Sequence, residues 1–239
     1  MEKLKTKLLI LIIFTFLGFL LNAQEEKRWD YPVKPRTEEW KTLESNKAKV
    51  EVCQVPEQIL RDISTNDLMI LCLQYPLLYD VFAFNSINDG LTKLFADFNG
   101  IRAFSKMENA TNNLREQYIS EIRSFPENLN SRSNLEIGYS VARSSILEVL
   151  LVYSDFHSNT SKENQKKILE SLLFGYSEKI KYPEYFQGKG FATNLFARAH
   201  IIIKIDAALS EKFEKGNKAV LFSGMADADF INIIDSLSN

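Results

Sequence analysis

Two histidines, two cysteines, six prolines and nine glycines are spread over 239 residues, and each scarcity removes a class of protein. With His157 and His200 alone, a histidine-rich metal centre cannot be assembled, and neither a metal nor a cofactor is expected. The chain has no His-Glu-x-x-His, no Gly-x-Ser-x-Gly, no Walker loop and no Cys-x-x-Cys, so the familiar hydrolase, nucleotide and thiol-redox signatures are missing. Few prolines and glycines leave no flexible linker, which argues for one domain. Neither sign of charge dominates, with 29 Lys and Arg against 31 Asp and Glu. A protein that neutralises phosphates shows a basic surplus, so a nucleic-acid partner is not expected. No repeat, no low-complexity stretch and no convincing strand alternation is visible; the nearest to a strand is Ala219 to Phe222.

What is present begins with MEKLKTKLLILIIFTFLGFLLNAQ. Lys3, Lys5 and Lys7 precede an apolar run from Leu8 to Leu21, and Leu21-Asn22-Ala23 ends in the small residue a signal peptidase requires. The run is shorter than the ~20 residues a membrane-spanning helix needs, so residues 1–23 read as a cleaved export signal rather than an anchor. No cysteine lies near the cut to carry a lipid, and no second hydrophobic span follows. The expected organisation is a signal peptide over 1–23, an extended arm over 24–36 containing Pro32 and Pro35, and a single helical domain over 37–239, exported to the periplasm or beyond. In an oxidising compartment Cys53 and Cys72 can pair, closing a loop worth about 3 kcal/mol. The alternative is two separately buried thiols.

Helix signals run through the remainder. Thr37 with Glu38 and Glu39 predicts a helix to about Val52, Pro56 opens a short one to Ile63, and Ser64 with Asp67 caps another that ends at Tyr75 before Pro76. Tyr75 to Phe84 reads as irregular apolar chain. Ser86-x-x-Asp89 starts a helix that Asn99-Gly100 should close. Leu114, Tyr118, Ile122 and Phe125 share a face ahead of Pro126, and residues 135–156 form a long central helix. Thr160-x-x-Glu163 predicts a capping box for a helix with Ile168, Leu172, Tyr176 and Ile180 on one stripe. Gly188 and Gly190 precede a helix over 191–215, and Asp227 caps a last one bearing Phe230, Ile233, Ile234 and Leu237. Eight or nine such helices can bury their stripes only against one another. The fold class is therefore all-α, an irregular multi-helix bundle, with a helical-repeat solenoid as the alternative.

The blocks Tyr31-Pro-Val-Lys-Pro-Arg-Thr-Glu-Glu-Trp40, Leu71-Cys-Leu-Gln-Tyr-Pro-Leu-Leu-Tyr-Asp-Val-Phe-Ala-Phe84 and Phe98-Asn-Gly-Ile101 resemble those of a group of secreted all-α proteins from Bacteroidota. That group has no assigned activity, so the resemblance implies secretion and carries over no functional residue. It commonly has glycine where this chain has Arg36, a departure just ahead of the first helix.

Candidate sites come from residues that sit awkwardly in this pattern. Glu148 lies between Leu147 and Val149 with Val141 and Val152 on its own face, and Arg198 shares a stripe with Leu195, Ile202, Ile205 and Leu209. Charges there must be paired, so Glu148 is expected to meet Arg198 or His200, either as a structural ion pair or as an acid/base site. His157 reads as a solvated loop residue. Lys189, in Gln187-Gly-Lys-Gly, marks a weak anion site at a helix start. Tyr75, Tyr79, Phe82, Phe84, Phe95, Phe98 and Phe104 crowd together; helical spacing sends most of them to the core and leaves Tyr75, Tyr79 and Phe82 as the expected surface patch. Asn109-Ala-Thr111 and Asn159-Thr-Ser161 match the glycosylation pattern by accident in a leader-bearing chain of bacterial type. The functional expectation is a non-enzymatic module binding another protein or a cell-surface component, with an enzyme built on Glu148, Arg198 and His200 as the alternative. Export from a bacterial host should yield a chain beginning at Gln24; N-terminal sequencing or intact mass of the secreted product checks it, and a retained Met1 would refute the leader.

Overall fold

The computed structural model describes residues 29–127, 129–157, 161–205, 211 and 225–236. The expected leader, the 206–224 region apart from residue 211, and Leu237 lie outside the described residues. The chain divides into two compact units, Met1–Tyr31 and Pro32–Asn239. In the first, the rings of Trp29 and Tyr31 meet edge to face at 5.0 Å.

The second unit is helical and, among the described residues, contains no strand. Its elements are α1 Glu38–Thr42, α2 Asn46–Val52, α3 Glu57–Asp62, α4 Thr65–Leu73, the 3₁₀ helix η1 Leu78–Ala83, α5 Ile87–Asp97, α6 Asn99–Phe104, α7 Ala110–Ser124, η2 Leu129–Ser131, α8 Asn134–Val152, α9 Ser154–His157, α10 Lys162–Lys179, α11 Pro183–Phe186, α12 Lys189–Ile205 and α13 Asp227–Ser236. Four long helices close a ring: α8 packs on α7 and α12, and α10 packs on the same two from the other side. This closed ring makes the domain a multi-helix bundle, since a solenoid would pack each element only on its chain neighbours. No described helix is long and apolar enough to cross a membrane.

The capping residues explain where the helices begin. Ser64 and Ser86 accept from the backbone N–H groups of Asp67 and Asp89 at 3.1 Å, as their spacing predicts. Elsewhere the boundaries move. The first predicted helix breaks in two, because Ser45 accepts from Ala48 N and starts α2 afresh. The helix begun at Ser86 ends at Asp97, just ahead of Asn99-Gly100 as expected, but the same two residues also open α6: Asn99 exchanges two hydrogen bonds with the Val55 backbone and donates its own N–H to Gln54, pinning the connection between α2 and α3. The central helix starts at a capping box of Ser133 and Glu136, one residue ahead of the predicted start, and it ends at Val152, short of Phe156. The α10 cap is Ser161 rather than Thr160, and Ile180 leaves the stripe as the C-cap, 47% exposed. Gly188, at φ 72, turns the chain so that α12 begins at Lys189.

Cys53 and Cys72 are free thiols, each buried, in place of the bridge that export would favour. Burial raises the Cys53 thiol to about 11 and pushes Cys72 well up, so both stay protonated and pack as small apolar groups. Two backbone features shape the surface. Arg36 has φ 75, a left-handed conformation costing a non-glycine residue about 1 kcal/mol. Gly90 on α5 lies against the backbone of η1, and a Cβ there would stand 2.2 Å from the Val81 carbonyl oxygen. Since only backbone opposes it, η1 itself must shift to admit a methyl group. Gly90→Ala is expected to destabilise by about 1–3 kcal/mol in urea denaturation; an unchanged midpoint would show that η1 is loosely held.

Candidate functional site

A carboxylate in the middle of an apolar helix needs donors, and the ring of helices supplies one or more from each neighbour. Glu148, at 0% exposure on α8, accepts Tyr118 Oη of α7 at 2.7 Å, Lys179 Nζ of α10 at 2.7 Å and Asn194 Nδ2 of α12 at 2.8 Å, all on Oε1. Its Oε2 accepts Thr193 Oγ1 at 2.7 Å. Both oxygens are thus engaged, three donors converging on Oε1 and one on Oε2. The donors are equally committed. Lys179, also at 0% exposure, gives a second hydrogen bond to the Gly190 carbonyl at 3.1 Å and holds its ammonium 5.2 Å from the centre of the Phe186 ring. Asn194 donates to the Leu172 carbonyl at 3.0 Å, bridging α12 to α10.

Burial lowers the Lys179 ammonium from its usual range and Glu148 opposes that shift. The Tyr118 phenol is pushed well up, first by burial and then by the neighbouring Glu148 charge, so it remains a donor. Tyr118 also dictates its neighbour across the interface. A Cβ on Gly175 would sit 1.7 Å from the Tyr118 hydroxyl, so α10 must carry glycine where α7 presents the phenol.

The charge partner is not the expected one. Arg198 lies with its guanidinium carbon 4.3 Å from the Tyr176 ring centre and 4.6 Å from that of Phe230, where it joins α10, α12 and α13 as a cation between aromatic faces. His200 is half-buried, its Nδ1 3.0 Å from the Phe196 carbonyl and its ring 3.9 Å from the Phe196 ring. The helical phase accounts for this: Asn194 occupies the α12 position that faces Glu148, Arg198 lies a turn further on, and His200 points elsewhere. Lys179 completes the stripe of Ile168, Leu172 and Gly175 on α10, and no motif marks it. The backbone of His157 closes α9. The crevice beside Lys179, lined by Ile122, Phe125, Glu178, Tyr182 and Phe186, leaves no space for a water molecule. Among the described residues, no three His, Cys, Asp or Glu side chains gather to hold a metal.

The aromatic candidates separate. Tyr75 is buried and stacked on Phe98 at 4.0 Å and 6°, over Gly100, so it leaves the expected patch for the core. Phe95, Phe98 and Phe104 are buried as their spacing predicts. Tyr79 and Phe82 are half-buried and three residues apart on a 3₁₀ helix, which eclipses them on one side of η1. Lys189, expected from the sequence to mark an anion site, lays its ammonium 4.4 Å from the Phe82 ring centre. Tyr79 stands near Arg143, Glu121 and Tyr139, whose charges bear on its phenol after burial has raised it. On α8, Leu135 and Tyr139 are 57% and 47% exposed and one turn apart, and no sequence motif sets them apart from their neighbours. Arg36 reaches the Tyr139 hydroxyl at 3.2 Å, and Phe84, 43% exposed, follows η1 directly. Through Tyr79 and Tyr139 the aromatic side of η1 meets this part of α8, with Arg36 on Tyr139 and Lys189 on Phe82.

Comparison of the chain with protein families, with curated proteins and with solved structures finds no match.

The Glu148 cluster can be tested as a unit. Glu148→Ala strands the Lys179 ammonium in the core and is expected to cost about 3–5 kcal/mol in urea denaturation, whereas Glu148→Leu with Lys179→Met should recover most of that loss. A double variant as unstable as the single one would show that the two charges do not act as a pair.

Proposed function

We propose that the protein is an exported, non-enzymatic module that binds another protein or a cell-surface component through the exposed face of η1 and the first half of α8. The observation that carries this reading is the contrast between two candidate sites. Both oxygens of Glu148 accept from buried donors and the side chain is at 0% exposure, which keeps a substrate away from its carboxylate. Leu135, Tyr139 and Phe84, beside Tyr79 and Phe82, stay in contact with solvent instead. A contiguous apolar face with a polar rim is how interaction surfaces differ from the rest of a folded exterior. Aromatic rings supply large contact area at small entropic cost, which suits such a role. Export rests on the basic, apolar and small-residue pattern of residues 1–23, and it would place the face in the periplasm or outside the cell.

Selection of phage-displayed random peptides on the purified protein tests the reading while the natural partner is unidentified. Peptides enriched on the wild type are expected to lose binding to a Phe84→Ser/Tyr139→Ser variant, whose melting temperature should stay within a few degrees of the parent because both side chains are exposed. Enriched peptides that bind the variant equally well would rule out this face as the working surface.

A further inference from the structure

We infer that the occupant of the aromatic face is a protein segment presenting carboxylates beside an apolar or aromatic anchor. This rests on the binding-module reading above and adds the sign of the partner's charge. Two exposed cations border the face. Arg36 is tied to Tyr139 through the phenol, and Lys189 rests on the Phe82 ring. Among the described residues neither forms an ion pair, while the third cation at the face, Arg143, is held by Glu121 at 2.6 Å. The face therefore offers two charges that the described part of the domain does not neutralise. Both are held by aromatic groups of the face, so a carboxylate that reaches either cation also comes against a ring.

The backbone at Arg36 is a second, independent observation. Arg36 is the non-glycine residue with positive φ among the described residues, in a conformation that glycine adopts freely. Its side chain is exposed and contributes no core packing. Strain kept at an exposed residue, with its guanidinium delivered to Tyr139, marks a position held for what the side chain presents. The chain as a whole is slightly acidic, with formal net charge -2, so an acidic segment is repelled by the general field and drawn to this edge. Tyrosine, phenylalanine and arginine are the residue types enriched at the centre of protein interfaces, which favours a polypeptide over a glycan.

The peptide selection described above supplies the test when it is repeated on three variants and joined to a binding titration with polygalacturonate. Face-dependent peptides are expected to be rich in Asp and Glu next to Leu, Phe, Tyr or Trp. They should bind an Arg36→Glu/Lys189→Glu variant roughly tenfold or more weakly, with the loss shrinking at high salt. Arg36→Gly should weaken them too while leaving the melting temperature equal or higher, since it removes the strained side chain; Lys189→Ala should weaken them without the gain. Face-dependent peptides of neutral or basic composition, indifferent to charge reversal, would overturn the acidic partner and leave the binding-module reading standing. Saturable polygalacturonate binding that Tyr139→Ser abolishes, without acidic peptides, would overturn it in favour of a glycan. Failure to enrich any face-dependent peptide would overturn both.

Discussion

The carboxylate of Glu148 is the constraint around which this domain is arranged. A charge sealed at the centre of a helix ring is strongly destabilising unless it is paired and hydrogen-bonded, and here the donors come from three different helices. Each donor fixes a distance and a rotation between α8 and one neighbour. Gly175 extends the requirement to α10, which gives up a side chain so that the Tyr118 hydroxyl can reach its acceptor. Apolar packing supplies most of the free energy that holds the ring together, but it tolerates sliding. The hydrogen-bonded cluster admits one register.

Much of this is legible in the sequence, and the rest is hidden for identifiable reasons. The helical class, the serine caps at Ser64 and Ser86, and the burial of Glu148 follow from spacing and from a charge placed among aliphatic neighbours. The partner of Glu148 does not. A lysine in the last turn of a helix reads as a favourable end charge exposed to water, and only the three-dimensional meeting of α8 and α10 turns Lys179 inward. Thr193 and Asn194 look like ordinary polar residues of a helix start for the same reason. Tyr75 misleads because Pro76 suggests irregular surface chain, whereas the stack on Phe98 carries the ring inside. The cap at Ser133 is legible, since Ser133-x-x-Glu136 has the capping-box spacing, whereas at α10 the adjacent Thr160 and Ser161 compete for one role and local spacing alone points to the wrong one.

The outer face depends on the inner one through α8. That helix turns Glu148, Val149 and Leu150 into the bundle and, more than two turns earlier, holds Leu135 and Tyr139 outward. On the opposite edge, η1 is set against α5 by the glycine contact at Val81, which brings Tyr79 and Phe82 to the same side. A buried ion pair and an exposed aromatic surface are thus two ends of one rigid element. The free thiols of Cys53 and Cys72 add that this rigidity is reached by packing and hydrogen bonding, without a covalent cross-link between them.

The order of the donors along the chain has a temporal consequence. Tyr118 precedes Glu148, whereas Lys179, Thr193 and Asn194 follow it, the last by 46 residues. While the polypeptide is being made, the segment up to α10 holds a carboxylate that only part of its eventual donors can reach. The bundle cannot lock until α12 emerges, so the nascent chain commits to its final shape only near the end of its synthesis.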